Sequence, residues 1–321
     1  MAYSRIIVAL DGSPLGYGAL PFATSIAQAA DAAIELVCVL DPSSDRRVVG
    51  HEAAGRAGQE AAGARTDPRW SISGAPGPAY MSAYSPESEY EPRAEETGVK
   101  KWLEDVASGL RERAKVPVET TAAVGNAAEE LVAIASRYRH ADAILAMATH
   151  GRSGLSRGVL GSVTDRVMRE ATIPVMVVHA AEVPEQETWK PGRIVLPLDG
   201  SALSEEALPH AVDLANLFKV PVLLLRVVLA DTGDPQGEAR GYLERTSRQL
   251  ELLGVQTESQ LRPGDPAEEI LGITENTPST IAVMSTHGLS GIKRLVIGSV
   301  TDRVVTKASV PVLVVRPDQD A

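Results

Sequence analysis

Aromatic side chains make up only 4% of this 321-residue chain, so its core has to be built from aliphatic side chains. A single cysteine, Cys38, excludes an intrachain disulfide and leans weakly toward a reducing compartment. Cations are in the minority: 31 Lys and Arg against 42 Asp and Glu leave a formal charge of −11. That balance argues against nucleic-acid and anionic-membrane partners, both of which need clustered positive charge. The most apolar stretch, 207–230, is broken by His210, Asp213, Lys219 and Arg226, so it is no membrane span. The opening MAYSRIIVAL lacks the n-region and cleavage site of a secretory leader. These absences predict a cytoplasmic globular protein.

What the chain does have is a duplication. The segment THGRSGLSRGVLGSVTDRV from Thr149 returns as THGLSGIKRLVIGSVTDRV from Thr286, and residues 149–178 match 286–315 at 19 of 30 positions. A constant spacing of 137 residues is too long for a solenoid repeat and means two similar halves.

Within each half, short aliphatic runs alternate with helical segments, the pattern of a parallel sheet covered by helices. The runs are Ile6–Leu10, Ile34–Leu40, Val118–Ala122, Ala143–Ala148 and Val175–Val178, then Ile194–Leu198, Val222–Val228, Gln256–Leu261, Ile281–Met284 and Val312–Val315. Five strands per half fit a doubly wound α/β fold. Asp11 and Asp199 are 188 residues apart rather than 137, which places 51 extra residues in the first half, before Gly125. The stretch 42–92, rich in Gly, Ala, Ser and Pro, is the expected insertion and reads as a surface loop. The acidic, proline-containing segment Ala180–Pro191 reads as an exposed linker between a first domain, 1–180, and a second, 191–321.

Each repeated segment sets one glycine before nine loop residues and a Gly-Ser pair after them, at Gly151 and Gly161-Ser162, and at Gly288 and Gly298-Ser299. A glycine loop that opens a helix exposes backbone N–H groups at the positive end of the helix dipole, a trap for phosphate. The loops add Arg152, Arg157, Lys293 and Arg294. Ser162 with Asp165, and Ser299 with Asp302, have capping-box spacing, which predicts a helix starting just after each Gly-Ser pair. The competing reading is that the glycines relieve crowding and the serines only cap helices. Neither copy is a P-loop, since no Lys follows the second glycine, and Pro21 breaks any dinucleotide fingerprint after Gly16 and Gly18. Asp11 and Asp199 end the first strand of each half in Leu-Asp-Gly-Ser. Alone they read as Asx turns; beside a phosphate loop at a strand's carboxyl end they read as ligand contacts to ribose or metal. His150 and His287 lack a nucleophile or a metal-ligating partner at a recognisable spacing and read as loop packing.

On these motifs each half resembles the universal stress proteins over nearly its full length. The family motif G-x-x-G, nine residues, G-[ST] reads here as Ala148, Gly151, Gly161-Ser162 and as Ser285, Gly288, Gly298-Ser299, with small residues replacing the first glycine. The resemblance implies two tandem five-stranded parallel sheets of order 3-2-1-4-5 with helices on both faces, of the adenine nucleotide alpha hydrolase-like type. It implies ATP, carrying Mg²⁺, at the carboxyl ends of the strands. Asp11 and Asp199 would meet the ribose with backbone from Ala9 and Pro197, and Val39 and Val227 the adenine. Gly151, Arg152, Gly154, Gly161, Ser162 and Val163, with Gly288, Gly291, Gly298, Ser299 and Val300, would hold the phosphates. It also implies pairing through the fifth strands, within the chain or in a homodimer.

The leading expectation is a non-enzymatic ATP-binding regulator of a stress or dormancy response, because no general base or transfer nucleophile is identifiable. Slow ATP hydrolysis or self-phosphorylation through Asp11 or Asp199 is the second reading. The third is a nucleotide-free interaction protein, in which Ala148 fills the phosphate position.

Overall fold

The computed structural model describes residues 3–13, 16–41, 92–149, 160–179, 189–228, 235–277, 279–286 and 297–317. The first half contributes β1 (Arg5–Ala9), β2 (Ala33–Leu40), β3 (Val118–Val124), β4 (Ala143–Thr149) and β5 (Val175–His179). The second contributes β6 (Arg193–Pro197), β7 (Val222–Val228), β8 (Thr257–Pro263), β9 (Thr280–Ser285) and β10 (Val312–Val315). Pairing within each half is parallel throughout, in the order β3-β2-β1-β4-β5 and β8-β7-β6-β9-β10. The expected 3-2-1-4-5 order is therefore present twice.

Alternation along each strand builds the two faces. On β1, Ile6 and Val8 join one buried cluster and Ile7 the other. The first face is covered by α1 (Leu20–Ala30), α2 (Pro92–Ala114), α6 (Leu208–Phe218) and α7 (Pro235–Leu252). The second is covered by α3 (Ala127–Ala135), α4 (Ser162–Glu170), α8 (Pro266–Glu275) and α9 (Ser299–Lys307). A short helix, α5 (Ala202–Glu205), precedes α6, and a 3₁₀ turn, Gly16–Ala19, precedes α1.

The halves join through β5 and β10, which pair antiparallel with Val177 opposite Val312, Met176 opposite Leu313 and Val175 opposite Val314. All six side chains are buried, each worth about 1.5–3 kcal/mol relative to exposure. The ten strands form one sheet whose outer strands are β3 and β8. This corrects one expectation: the fifth-strand edges are consumed within the chain, so a homodimer has no fifth-strand edge to pair through. Antiparallel joining has a second consequence. The carboxyl ends of β1, β2 and β4 lie on one rim of the sheet, and those of β6, β7 and β9 on the opposite rim.

Polar contacts reinforce the junction. At the second half's carboxyl rim, His140 Nε2–H donates to the Arg316 carbonyl at 2.9 Å, which leaves His140 Nδ1 as acceptor. His210 Nε2–H donates to it at 3.3 Å, and the Tyr3 hydroxyl donates to His210 Nδ1 at 2.9 Å. Every hydrogen in this chain has one place, and the arrangement is complete only when both imidazoles are neutral. Burial, helped by His140, lowers the His210 pKa to about 3.

Two further expectations change. The end of the linker is not exposed throughout: Trp189 is buried and packs edge-on against Phe22 of α1, ring centroids 4.6 Å apart. An indole in an acidic linker is the signal that was missed, because it gains more from a groove than from water. The expected 42–92 loop lies outside the described residues except for Pro92, which begins α2.

Candidate functional site

At the carboxyl end of β1, Asp11 Oδ1 accepts from the Ser13 N–H at 3.0 Å and from its hydroxyl at 2.7 Å. At the end of β6, Asp199 Oδ1 accepts from the Ser201 N–H at 2.9 Å and its hydroxyl at 2.6 Å. The serine hydroxyls in turn accept from Gly16 N–H at 3.2 Å and Ser204 N–H at 3.1 Å. The intervening Gly12 and Gly200 have φ of +76° and +81°, which only glycine takes without strain. The Asx-turn reading of both aspartates therefore holds, and it uses one carboxylate oxygen. Asp11 is exposed, and its other oxygen, Oδ2, makes no hydrogen bond among the described residues.

Register brings the expected residues to this rim. Ala9 lies level with Val37 on β2 and Met147 on β4, so Asp11, Val39 and Thr149 all follow at the same end of the sheet. Ala9, Val39 and Val227 are half-buried against the face that carries α4 and α9; Pro197 is half-buried at the end of β6. Ala148 and Ser285 are strand residues without positive φ, so replacing the motif's first glycine adds no backbone strain. Ala148 packs against the cluster under α1 and α2, the face opposite α4.

The helices that follow the glycine loops begin one residue earlier than expected. Ser162 and Ser299 are the first helical residues of α4 and α9, and the caps are Gly161 and Gly298, with no side-chain cap bond at either. The capping boxes do not form: Asp165 instead pairs with Arg169 at 2.8 Å. Three other helix starts carry a side-chain cap, Asn126 for Glu129 N–H, Asp265 for Glu268 N–H and Ser201 for Ser204 N–H, whereas α1 and α6 start on Ala19 and Ala207 without one. At α4 and α9 the first-turn amides of Ser162, Val163 and Thr164, and of Ser299, Val300 and Thr301, lack that partner.

The two copies then diverge. Gly298 N–H donates inward to the Thr286 carbonyl at 2.8 Å, and the Thr301 hydroxyl to the Ser285 carbonyl at 2.9 Å. Neither bond has a counterpart among the described residues of the first half. Behind the Asp11 turn stand Tyr17, Trp102 and Cys38, with the Trp102 indole N–H donating to the Tyr17 oxygen at 2.9 Å. Burial, with Asp11 nearby, pushes the Tyr17 phenol up despite that bond. Behind the Asp199 turn stand Glu205, Arg226 and Tyr242. Arg226 Nη1 reaches the Leu198 carbonyl at 3.4 Å, and its guanidinium sits 5.8 Å from the Tyr242 ring centroid. Burial and the neighbouring Glu205 push the Tyr242 phenol up. Arg226 was legible in the sequence as the one charge inside the aliphatic run Val222–Val228, where it served only to exclude a membrane span.

Nearby cations are engaged elsewhere. Arg166 bridges Glu129 and Glu170, each at 3.0 Å, and Arg303 bridges Asp265 at 2.9 Å and Glu268 at 3.4 Å. Of the expected contacts, Gly151, Arg152, Gly154, Gly288 and Gly291 lie outside the described residues, as do His150 and His287. Among the described residues no three His, Cys, Asp or Glu side chains gather as a metal centre. No described helix is long and apolar enough to cross a membrane.

Comparison with known proteins identifies the fold and the family. The profile of the Universal stress protein family matches residues 2–179 and 191–316. A universal stress protein of Methanocaldococcus jannaschii is 33% identical over 138 residues, covering 39% of this chain and 81% of the relative. One of Mycolicibacterium smegmatis is 32% identical over 186 residues, covering 54% of this chain and 62% of the relative. The crystal structure of a universal stress protein from Archaeoglobus fulgidus superposes with a TM-score of 0.69, covering 98% of this chain and 99% of that one at 17% identity, a likeness of fold.

Proposed function

This chain belongs to the universal stress protein family, and on that premise we propose that it binds ATP at two sites, one per half, as a non-catalytic regulator in a stress or dormancy response. The observation that carries the reading is the pair of helices α4 and α9, each capped by a glycine after a repeated glycine loop, whose first-turn amides have no side-chain cap, whereas α3, α5 and α8 are capped by Asn, Ser and Asp and the uncapped α1 and α6 carry a proline in the first turn. An anion at such an end gains the amide hydrogen bonds and the dipole together. The proposed phosphate contacts are the amides of Ser162 and Val163, and of Ser299 and Val300. Gly298 contributes its shape rather than its N–H, which is already spent on Thr286.

In the same reading Asp11 and Asp199 receive ribose hydroxyls, each oriented by the serine that holds Oδ1. Ala9 and Pro197 supply backbone beside the sugar, and Val39 and Val227 an apolar edge for adenine. Mg²⁺ would arrive on the triphosphate and neutralise its charge there, since the described residues offer no metal centre of their own. Ala148 supports occupancy over a nucleotide-free role, because its methyl packs against the opposite face from α4. The proposed place of action is the cytoplasm, in keeping with a chain that holds a single cysteine.

Native mass spectrometry of freshly purified protein tests the reading. One or two adenine nucleotides per chain are expected, rising to two with millimolar MgATP. Chains that emerge empty and stay empty under those conditions overturn it.

A further inference from the structure

We infer that the two nucleotide sites are energetically coupled across the junction of the halves, with His179 as the positioning residue that couples them; this rests on the ATP-binding reading above. His179 ends β5 and lies level with Thr149, which ends β4 immediately before the first glycine loop. Its Nδ1 is 3.0 Å from the Thr149 hydroxyl, and its Nε2 is 2.7 Å from the carbonyl of Val305 in α9 of the other half. A carbonyl only accepts, so Nε2 carries hydrogen and donates to it.

Val305 is in the last turn of α9, where carbonyls have no partner within the helix. His179 therefore caps the C-terminus of a helix belonging to the opposite half, at the negative end of its dipole. The N-terminus of that same helix, Ser299 and Val300, is the proposed phosphate end of the second site. Because β5 and β10 run antiparallel, the two sites lie on opposite rims. The nine residues of α9, about 13 Å at 1.5 Å per residue, span from one rim to the other. A continuous run of covalent and hydrogen-bonded contacts joins the end of β4, the Thr149 hydroxyl, the His179 ring, the Val305 carbonyl and the amides of the second site.

No mirror image of the run joins the described residues. The residue corresponding to His179 in the second half is Arg316, whose backbone carbonyl serves His140 instead. Each nucleotide orders one end of the same run, so the second to bind meets a framework already set, which gives positive coupling.

Native mass spectrometry resolves chains carrying zero, one or two ATP. The product of the empty and doubly loaded populations, divided by the square of the singly loaded one, cannot exceed about 0.25 for independent sites, equal or unequal. The wild type is expected to exceed that bound by about 5-fold or more. His179→Ala, and Thr149→Val as a near-isosteric second variant, are expected to fall to or below it, while His179→Gln, whose amide still donates to Val305, retains part of the excess. A wild type at or below the bound with two ATP loaded overturns the coupling and leaves the binding reading intact. So does a His179→Ala protein that loses thermal stability yet keeps the wild-type ratio. Chains that never load ATP overturn the binding reading and this inference with it.

Discussion

The halves of this sheet share a backbone and differ in what stands behind it. Both hold an aspartate by the same two serine bonds and both start the helix after the glycine loop on a glycine cap. The first half backs its aspartate with Tyr17, Trp102 and Cys38; the second backs it with Glu205, Arg226 and Tyr242. The second also closes the base of its loop through Gly298 and Thr286, whereas no such bond joins the described residues of the first. Duplication conserved the parts set by chain geometry, and the buried layer behind them was free to become apolar in one copy and charged in the other. Two sites of one ancestry are thereby expected to differ in affinity.

The largest expected effect concerns the rims rather than the sites. The Tyr3, His210, His140 chain stands at the second half's carboxyl rim and needs neutral imidazoles. With its pKa lowered to about 3 in the folded protein, His210 takes up its proton more readily when unfolded. Stability is therefore complete above the unfolded value near 6.5 and declines as pH falls toward 3, by up to about 1.4 kcal/mol per unit. Half-buried Asp213, whose pKa is raised by that desolvation, acts in the opposite sense over the acid part of that range. Urea midpoints from pH 7 to 4 should fall steeply for the wild type. In His210→Leu they should start lower, by about 1–3 kcal/mol for the abandoned Tyr3 and His140 partners, and lose most of the slope. Parallel slopes in the two proteins would show that the acid response lies elsewhere.

The next test breaks the likeness of the phosphate ends. Gly161 has φ −62° and ψ 141°, open to any residue, and an added Cβ would meet only Thr164 Oγ1 at 4.0 Å. Gly161→Asp supplies the missing cap and should stabilise the protein by about 0.5–1 kcal/mol, while its carboxylate repels phosphate and lowers first-site ATP affinity by about 100-fold or more. Gly298→Asp should lose ATP equally but gain less stability, because its Cβ would press on the Thr286 carbonyl at 3.2 Å. Calorimetry with nucleotide counting reads both signs at once. ATP retained at full stoichiometry in the double variant would remove the glycine caps from the binding mechanism.

How far the sequence revealed all this follows from the range of the interactions involved. Alternating aliphatic runs and a constant repeat spacing are local signals, and they were enough for the strands and the two halves; the strand order followed only from the family resemblance. Capping was misjudged by one residue, because Gly-Ser and the downstream aspartate mimic a capping box and only the backbone shows which residue is the cap. His179 and His210 were invisible as junction residues, since their partners Val305 and Tyr3 are 126 and 207 positions away. Trp189 was read by the composition of its neighbours, when its own apolar area decided where it went.

The smallest expected effect probes the one feature the halves share most closely. Ser13→Ala removes the hydroxyl's bond to Asp11 and the one it accepts from Gly16 N–H; Ser201→Ala removes the matching two at Asp199 and Ser204. Backbone donors survive either change, so what is lost is the hydroxyl's pair of bonds, about 1 kcal/mol in each case. The contexts are unequal: Ser201 is the N-cap of α5, whereas Ser13 opens a 3₁₀ turn. If the serine serves only the turn, stability should drop, more at Ser201 than at Ser13, with ATP affinity unchanged. If it also orients the aspartate toward ribose, affinity at the same half should fall by about 3- to 10-fold, the worth of one oriented hydrogen bond. Melting temperatures beside per-site ATP titrations separate the two. A loss of stability without any loss of affinity in both variants would return Asp11 and Asp199 to turn formation alone.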